Sequence, residues 1–270
     1  MNDEEFLNEF SKAHAIYEAM ALRILLKHMR KMFKRINFNN LSFNDTLNSA
    51  IVQLAVNPLE LKKILYKIDY TIGIDWGTKQ GKKLAQEITL EIANGSKYPF
   101  YSVEFRDRVI DYYNQYGGQN ITSISETMAK AVVEEIKAGT YELETVEQMA
   151  ERIIKVVDDP NFYKWQALRI ARTETTFAMN AASEMVGEVS GLVMTKRWIA
   201  RRDGRERRSH GEANGQVVLQ NELFTVGGYK LKFPGDSSNG APAKEVVNCR
   251  CARGYEPKRD ENGRLIFTDF

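Results

Sequence analysis

The sequence predicts an α+β protein: a long helical N-terminal part over residues 1–190, then a small β-rich C-terminal module over 191–270. Three observations carry this. Apolar residues recur at three- and four-residue spacing through much of the first 190 positions. After Gly191 short β-type runs replace that pattern. Three of the six prolines (Pro234, Pro242 and Pro257) fall in the last forty residues.

The first element is one long helix. Phe6, Phe10, Ala13, Tyr17, Met20 and Ile24 open an apolar stripe that continues through Met29, Met32, Phe33 and Ile36. Acidic residues begin the helix, and Lys31, Lys34 and Arg35 end it, as its dipole favours. The stripe is broad enough to need a partner surface, within this protein or on another. The run "NFNNLSFND" breaks the pattern. His14 and His28 are fourteen residues apart, too far to share a metal within one helix, and are read as ordinary helix positions.

Residues 45–135 are mostly helical by pattern. Asn57 and Pro58 mark an N-cap and a first-turn proline. Gly73, Gly77 and Gly81 lack the spacing of a phosphate loop and are read as helix breaks. A turn at Gly117 and Gly118, a capping box of Ser123 and Glu126, and a stop at Gly139 define a further helix. Thr145 and Gln148 repeat the capping box before a helix that Pro160 ends. The following stretch, "NFYKWQALRIARTETTFAMNAASEMVGEVSG", is helical, with small residues Ala171, Ala178, Ala181 and Ala182 that admit a close neighbour. Arg172, Glu174 and Asn180 are read as a solvated or hydrogen-bonded face of it. β-type segments follow: "LVMTKRWIA", "GQVVLQ", "LFTVGGYKLKF" with a hairpin at Gly227 and Gly228, "EVVNCRC" and "RLIFTDF".

Composition bounds the function. The hydrophobic share of 43% supports a real core, and 38 basic against 36 acidic side chains leave a formal net charge of only +2. A general nucleic-acid coat is therefore excluded, and any such contact must be local. No apolar run reaches the roughly 18 residues of a membrane span. The acidic start "MNDEEFLNEF" is not a secretory leader, and two cysteines make no disulfide framework. A soluble intracellular protein is expected.

The residues that stand out lie near the C-terminal end. Between Lys196 and Arg208 are seven basic residues (Lys196, Arg197, Arg201, Arg202, Arg205, Arg207 and Arg208) against Asp203 and Glu206, a local net of +5, with Trp198 among them. Arginine forks suit phosphates and an aromatic can stack on bases, so this run is a candidate nucleic-acid or protein interface. Cys249 and Cys251, two apart, would face one side of a strand, with His210 as a third donor, but one C-x-C and one distant histidine make a weak metal pattern. No metal or other cofactor is expected. A disulfide between the two would strain their geometry. His210 with Cys249 or nearby carboxylates allows a thiol or nuclease chemistry. The structural alternative is that these groups hold a loop together.

Taken in order, these residues resemble the C-terminal module of the Mu F-like minor head proteins of tailed phages. The elements are Trp198, Asp203 with Arg205, Arg207 with His210, Gly215 with Gln216, Pro234-Gly235-Asp236, and Asn248-Cys249-Arg250-Cys251; upstream, "ARTETTFAMNAA" looks like the helical signature of that family. The resemblance spans about residues 165–255. One departure is Asn214, where the family more often has Asp before the Gly-Gln pair. The resemblance implies a minor capsid or head morphogenesis protein in the virion. It would be present in several copies around the portal vertex, contacting portal or major capsid protein, assembled in the host cytoplasm, with no membrane partner. In some phages such proteins accompany DNA packaging or ejection, so contact with double-stranded DNA is a further expectation. Related modules also occur fused to toxin domains. The rival expectations are a nuclease or toxin-like enzyme using His210, and a DNA-binding accessory protein that does not attach to the portal.

Overall fold

The computed structural model describes all residues except 1, 37–43, 92–97, 101, 118–120, 160, 162–163 and 269–270, and only the backbone at 45–47, 121–128, 131 and 156–158. The element order is α1 (Asp3–Phe33), α2 (Asp45–Ala55), α3 (Pro58–Glu91), α4 (Ser102–Tyr116), α5 (Ile121–Tyr141), α6 (Val146–Asp158), α7 (Lys164–Glu188), β1 (Met194–Ile199), α8 (Arg208–Ala213), β2 (Val217–Leu219), β3 (Phe224–Val226), β4 (Tyr229–Leu231), α9 (Ala243–Val246) and β5 (Ala252–Pro257). This is the expected α+β arrangement, with long helices first and a small antiparallel β region last. The chain forms two compact units: residues 1–18, 67–117 and 172–270, and residues 19–66 and 118–171. Helices α1, α3 and α7 supply residues to both. No helix among the described residues is long and apolar enough to cross a membrane.

The helix ends follow their local chemistry. Asn57 Oδ1 accepts from the backbone N–H of Leu59 at 2.9 Å and of Glu60 at 3.2 Å, capping α3. Thr145 and Gln148 form the expected reciprocal box: the Thr145 N–H donates to Gln148 Oε1 at 2.8 Å and the Gln148 N–H to Thr145 Oγ1 at 3.3 Å. Two expectations fail. Ser123 lies inside α5, not at its cap, and Gly139 does not stop that helix, which runs on to Tyr141. A Cβ at Gly139 would lie 2.6 Å from Glu144 Oε2 and 2.7 Å from Met149 Cγ, so this glycine admits the returning α6. The breaks expected at 37–43, Gly118 and Pro160 lie outside the described residues.

Gly73, Gly77 and Gly81 are not breaks either; all three lie within the continuous α3. A Cβ would lie 2.1 Å from Tyr113 Oη at Gly73, 2.1 Å from Phe105 Cζ at Gly77 and 2.1 Å from Phe100 Cε2 at Gly81. Their four-residue spacing lays a bare stripe along α3, and aromatic side chains of α4 and the segment before it fill it. Each glycine costs the helix about 1 kcal/mol relative to Ala, which the closer aromatic packing offsets.

The apolar face of α1 is covered within this protein. Phe10 meets Trp76 edge-on with ring centroids 5.7 Å apart, and Phe6 meets Tyr255 at 6.2 Å. Further along, Leu25, Met29, Met32 and Phe33 are buried. In the second unit α2 packs on α5 and α5 on α6, and Arg152 gathers the carboxylates of Glu135, Glu142 and Glu144.

The three-stranded sheet has the order β2-β1-β5 and is antiparallel throughout. Strands β3 and β4 form the expected hairpin, with Val226 opposite Tyr229. Gly227 and Gly228 have φ of 56° and 84°, the left-handed pair a two-residue hairpin loop requires. "EVVNCRC" is not a strand: Glu245 and Val246 end α9, and Cys249 and Cys251 sit in the loop before β5. "RLIFTDF" contributes only isolated bridges, Leu192 with Phe267 and Arg259 with Leu265. Strand β5 follows the cysteines and pairs with β1 over six residues.

Candidate functional site

Helix α7 carries a line of polar side chains at helical spacing, and nearly all of them bond inward. Arg172 forks onto Glu18 at 3.0 and 3.1 Å and donates to Asn248 Oδ1 at 3.0 Å. The Asn248 N–H donates to Thr173 Oγ1 at 2.9 Å, with Asn248 at a φ of 63°. Thr176 Oγ1 donates to the Cys249 carbonyl at 2.6 Å and lies 2.9 Å from His14 Nε2. Asn180 Nδ2 donates to the carbonyls of Pro234 and Cys251, each at 3.1 Å, and Asn180 Oδ1 accepts from the Arg253 N–H at 2.8 Å. Glu184 ends the line: its Oε1 lies 2.8 Å from Lys196 Nζ and its Oε2 2.7 Å from Arg253 Nε, with all three residues buried. Burial lowers the Lys196 ammonium from its ordinary range, against the pull of Glu184. The signature helix is thus a polar spine along which the C-terminal loops and strands are hung.

The two cysteines and the histidine come together. His210, on α8, is 2% exposed, with Nδ1 3.4 Å from Cys251 Sγ and 3.6 Å from Cys249 Sγ. Its Nε2 lies 3.4 Å from Oε2 of Glu245, a carboxylate that is itself buried and accepts from Ser209 Oγ at 2.8 Å. Trp198 stands edge-on to the imidazole, ring centroids 5.5 Å apart. The Cys251 side chain beside Cys249 draws the Cys249 thiol well below its ordinary range, and His210 adds to this against burial; Cys251 is pushed up by its neighbour and by burial. Both cysteines are free thiols.

The basic run separates by depth. Lys196 and Trp198 point inward from β1, 1% and 0% exposed, and so form no part of a surface. Arg197 pairs with Asp3 at 2.9 Å. Asp203 collects Arg250 at 2.6 Å, Arg205 at 3.0 Å and Arg201 at 3.4 Å. Arg207 donates to the Val247 carbonyl, and Arg208 pairs with Glu212 at 2.7 Å. Arg202 is exposed and makes no ion pair among the described residues.

The remaining signature residues shape loops. Gly215, at a φ of 81°, donates its N–H to the Trp198 carbonyl at 2.8 Å, and the Gln216 amide bridges both backbone groups of Thr225 at 2.7 and 3.1 Å. Asn214 Oδ1 accepts from the Ala200 N–H at 2.8 Å, a role an aspartate oxygen fills equally well. Gly235, at a φ of 93°, presses on the backbone of α7, where a Cβ would lie 3.2 Å from the Phe177 nitrogen. Asp236 accepts from the N–H groups of Lys232 at 2.8 Å and Ser238 at 2.9 Å.

One pair escapes sequence reading. Asp69 on α3 and Glu174 on α7 are 0% and 5% exposed. Burial raises both carboxyl groups, Glu174 to about 7, and each feels the other. Asp69 sits between Ile68 and Tyr70 with nothing nearby in sequence to mark it. His14, in contrast, is held down to about 4 by burial, so it stays neutral against Thr176.

Three comparisons with known proteins bear on this region. No solved structure matches the chain. Over 154 residues it is 33% identical to the NAD(+)--arginine ADP-ribosyltransferase EFV of Enterococcus faecalis (strain ATCC 700802 / V583), a match covering 54% of this chain and 30% of that protein. The chain therefore spans under a third of that relative's length. Residues 126–253, which contain the α7 spine, the His210 cluster and every loop just described, match the family described as Phage Mu protein F like protein.

Proposed function

We propose that the chain is a head morphogenesis protein of a tailed bacteriophage, a minor capsid component that acts at the portal vertex during procapsid assembly. The observation that carries this reading is how the family's own residues are used. Asp203, Gln216, Asp236, Asn248 and Arg250 bond to other parts of the same region, and His210 is shut in at 2% exposure. That is the use expected of a rigid assembly module rather than of an open catalytic cleft. The enzyme reading asks His210 to reach a substrate phosphate, and its ring instead faces two sulfur atoms and Glu245. The transferase activity in the relative's name is not carried over, because the shared stretch is 30% of that protein.

Co-expression with the portal protein of the same phage tests this. A stable complex is expected, along with several copies per purified head and loss of infectivity when the gene is deleted. Normal heads without the chain would overturn the proposal. So would nuclease activity, or consumption of NAD, that disappears in His210→Ala.

A further inference from the structure

We propose that His210, Cys249 and Cys251 form a binding site for a single zinc-class divalent cation, with the fourth coordination position open to a small arginine-lined cleft. The geometry points to it in four ways. First, the three candidate donor atoms lie within 4.8 Å of one another and all three residues are buried. A tetrahedral ion with bonds of about 2.05 Å to nitrogen and about 2.3 Å to sulfur requires N···S edges of about 3.6 Å. The two distances from His210 Nδ1 are 3.4 and 3.6 Å.

Second, the other imidazole nitrogen faces a carboxylate. Nε2 has no hydrogen-bond partner among the described residues, yet Glu245 Oε2 stands 3.4 Å away. A metal-bound histidine usually directs its second N–H to such a group, which fixes the tautomer and strengthens the bond to the ion. Ser209 Oγ in turn donates to that carboxylate at 2.8 Å, so the outer partner is itself held in place.

Third, the donors are placed by the fold and not by chance proximity. The Cys249 carbonyl is fixed by Thr176 and the Cys251 carbonyl by Asn180, both on α7. Asn248 takes the left-handed conformation that turns the chain between α9 and the cysteines. A C-x-C pair on a regular strand would be held by neighbouring strands alone; here the loop is pinned on both sides of Cys249.

Fourth, the cluster borders a cavity of about 20 Å³, lined also by Arg201, Arg205, Glu206, Arg207 and Arg250. That volume suits one water molecule. Two thiolates and a neutral imidazole balance a divalent charge, so a water completes the coordination without net charge. The two thiol protons pass to solvent on binding.

The test uses the full chain, equilibrated with zinc sulfate and then desalted. Elemental analysis is expected to give about one equivalent per chain. Cobalt(II) in place of zinc is expected to give the charge-transfer absorption of a thiolate ligand, read on the wild type and so independent of whether any variant folds. Cys251→Ser and His210→Ala are expected to lose the metal. Glu245→Gln is expected to keep the stoichiometry while weakening affinity by about ten- to a hundred-fold. A wild-type chain with no retained zinc and no thiolate–cobalt absorption overturns the proposal. Full retention of metal in Cys251→Ser overturns it equally, because the ion would then sit elsewhere.

Discussion

The basic run of residues 196–208 contains two kinds of cation that look alike in sequence. Lys196 lies in the interior against Glu184, beside the buried Arg253. A few residues on, Arg201 and Arg205 lie at the surface around Asp203, together with Arg250. The difference is set by the strand. On β1 alternate side chains turn inward, so Lys196 and Trp198 are buried while Arg197 faces out. Past Ile199 the chain leaves the sheet and the arginines reach solvent. A charge buried in this way is tied to the integrity of the fold, whereas the same charge in water contributes little.

The sharpest way to break this contrast is to remove one partner from each cluster. Glu184→Ala leaves Lys196 and Arg253 buried without their anion. A loss of about 3–5 kcal/mol is expected, read as a lower urea midpoint. Gly77→Ala asks a related question of the apolar packing, because the new Cβ would meet the Phe105 ring. Overpacking of this kind is expected to cost about 1–3 kcal/mol, although alanine improves the propensity of an isolated helix. A more stable Gly77→Ala protein would show that α3 and α4 are not in close contact at this point.

The carboxyl pair of Asp69 and Glu174 sharpens the comparison through pH. Both have folded-state values above their ordinary ones, with Glu174 at about 7. The folded chain therefore holds protons that the unfolded chain releases. Their contribution to stability is fully present below the ordinary carboxylate range and is lost as pH rises toward about 7. Thermal midpoints measured from pH 4 upward should carry this decline, and Asp69→Asn with Glu174→Gln should flatten it.

At the surface the expected effects are smaller. Asp203→Ala is expected to cost no more than about 1 kcal/mol, and less in high salt. The smallest effect concerns DNA. With Lys196 and Trp198 inside, Arg202, Arg205 and Arg208 are left as exposed candidates. Three phosphate contacts would give a salt slope near −2.7 for duplex DNA. Alanine at all three should abolish that slope in a filter-binding assay without changing the unfolding midpoint. No binding at low salt would assign these arginines to protein contacts.

What the sequence discloses depends on whether the signal is local. The capping box of Thr145 and Gln148 and the hairpin glycines depend on residues a few positions apart and are found as expected, and the α1 stripe is found with His14, Ala21 and Leu25 buried beside the half-buried Ala13, Met20 and Ile24. Gly73, Gly77 and Gly81 mislead because the same four-residue spacing suits a break or a close approach, and the aromatic partners lie up to forty residues downstream. Strand β5 is missed because "ARGYEP" holds a glycine, a proline and an arginine, and the partners that explain why Arg253 is inside, Glu184, Ser183 and Gln220, are distant in sequence. The site is legible as a set of residues, since the motifs name most of them in order. Its geometry is not, because the cysteine loop was expected to be a strand, and Glu245 carries no mark of its position behind His210.

The contacts of α1 bear on how the protein is made. Phe6 rests against Tyr255 and His14 bonds to Thr176, so the first helix leaves the ribosome long before its final neighbours exist. At about 5–20 residues per second, the wait for Tyr255 is on the order of ten to fifty seconds. Phe10 meets Trp76 early, but during that interval the part of the stripe at Phe6 that Tyr255 covers is open to water and to other nascent chains. Ribosome-stalled chains ending before residue 255 should therefore be captured by a general chaperone and released once synthesis passes that point. The demand for such a holder is written into the order in which the helix and its cover are synthesised.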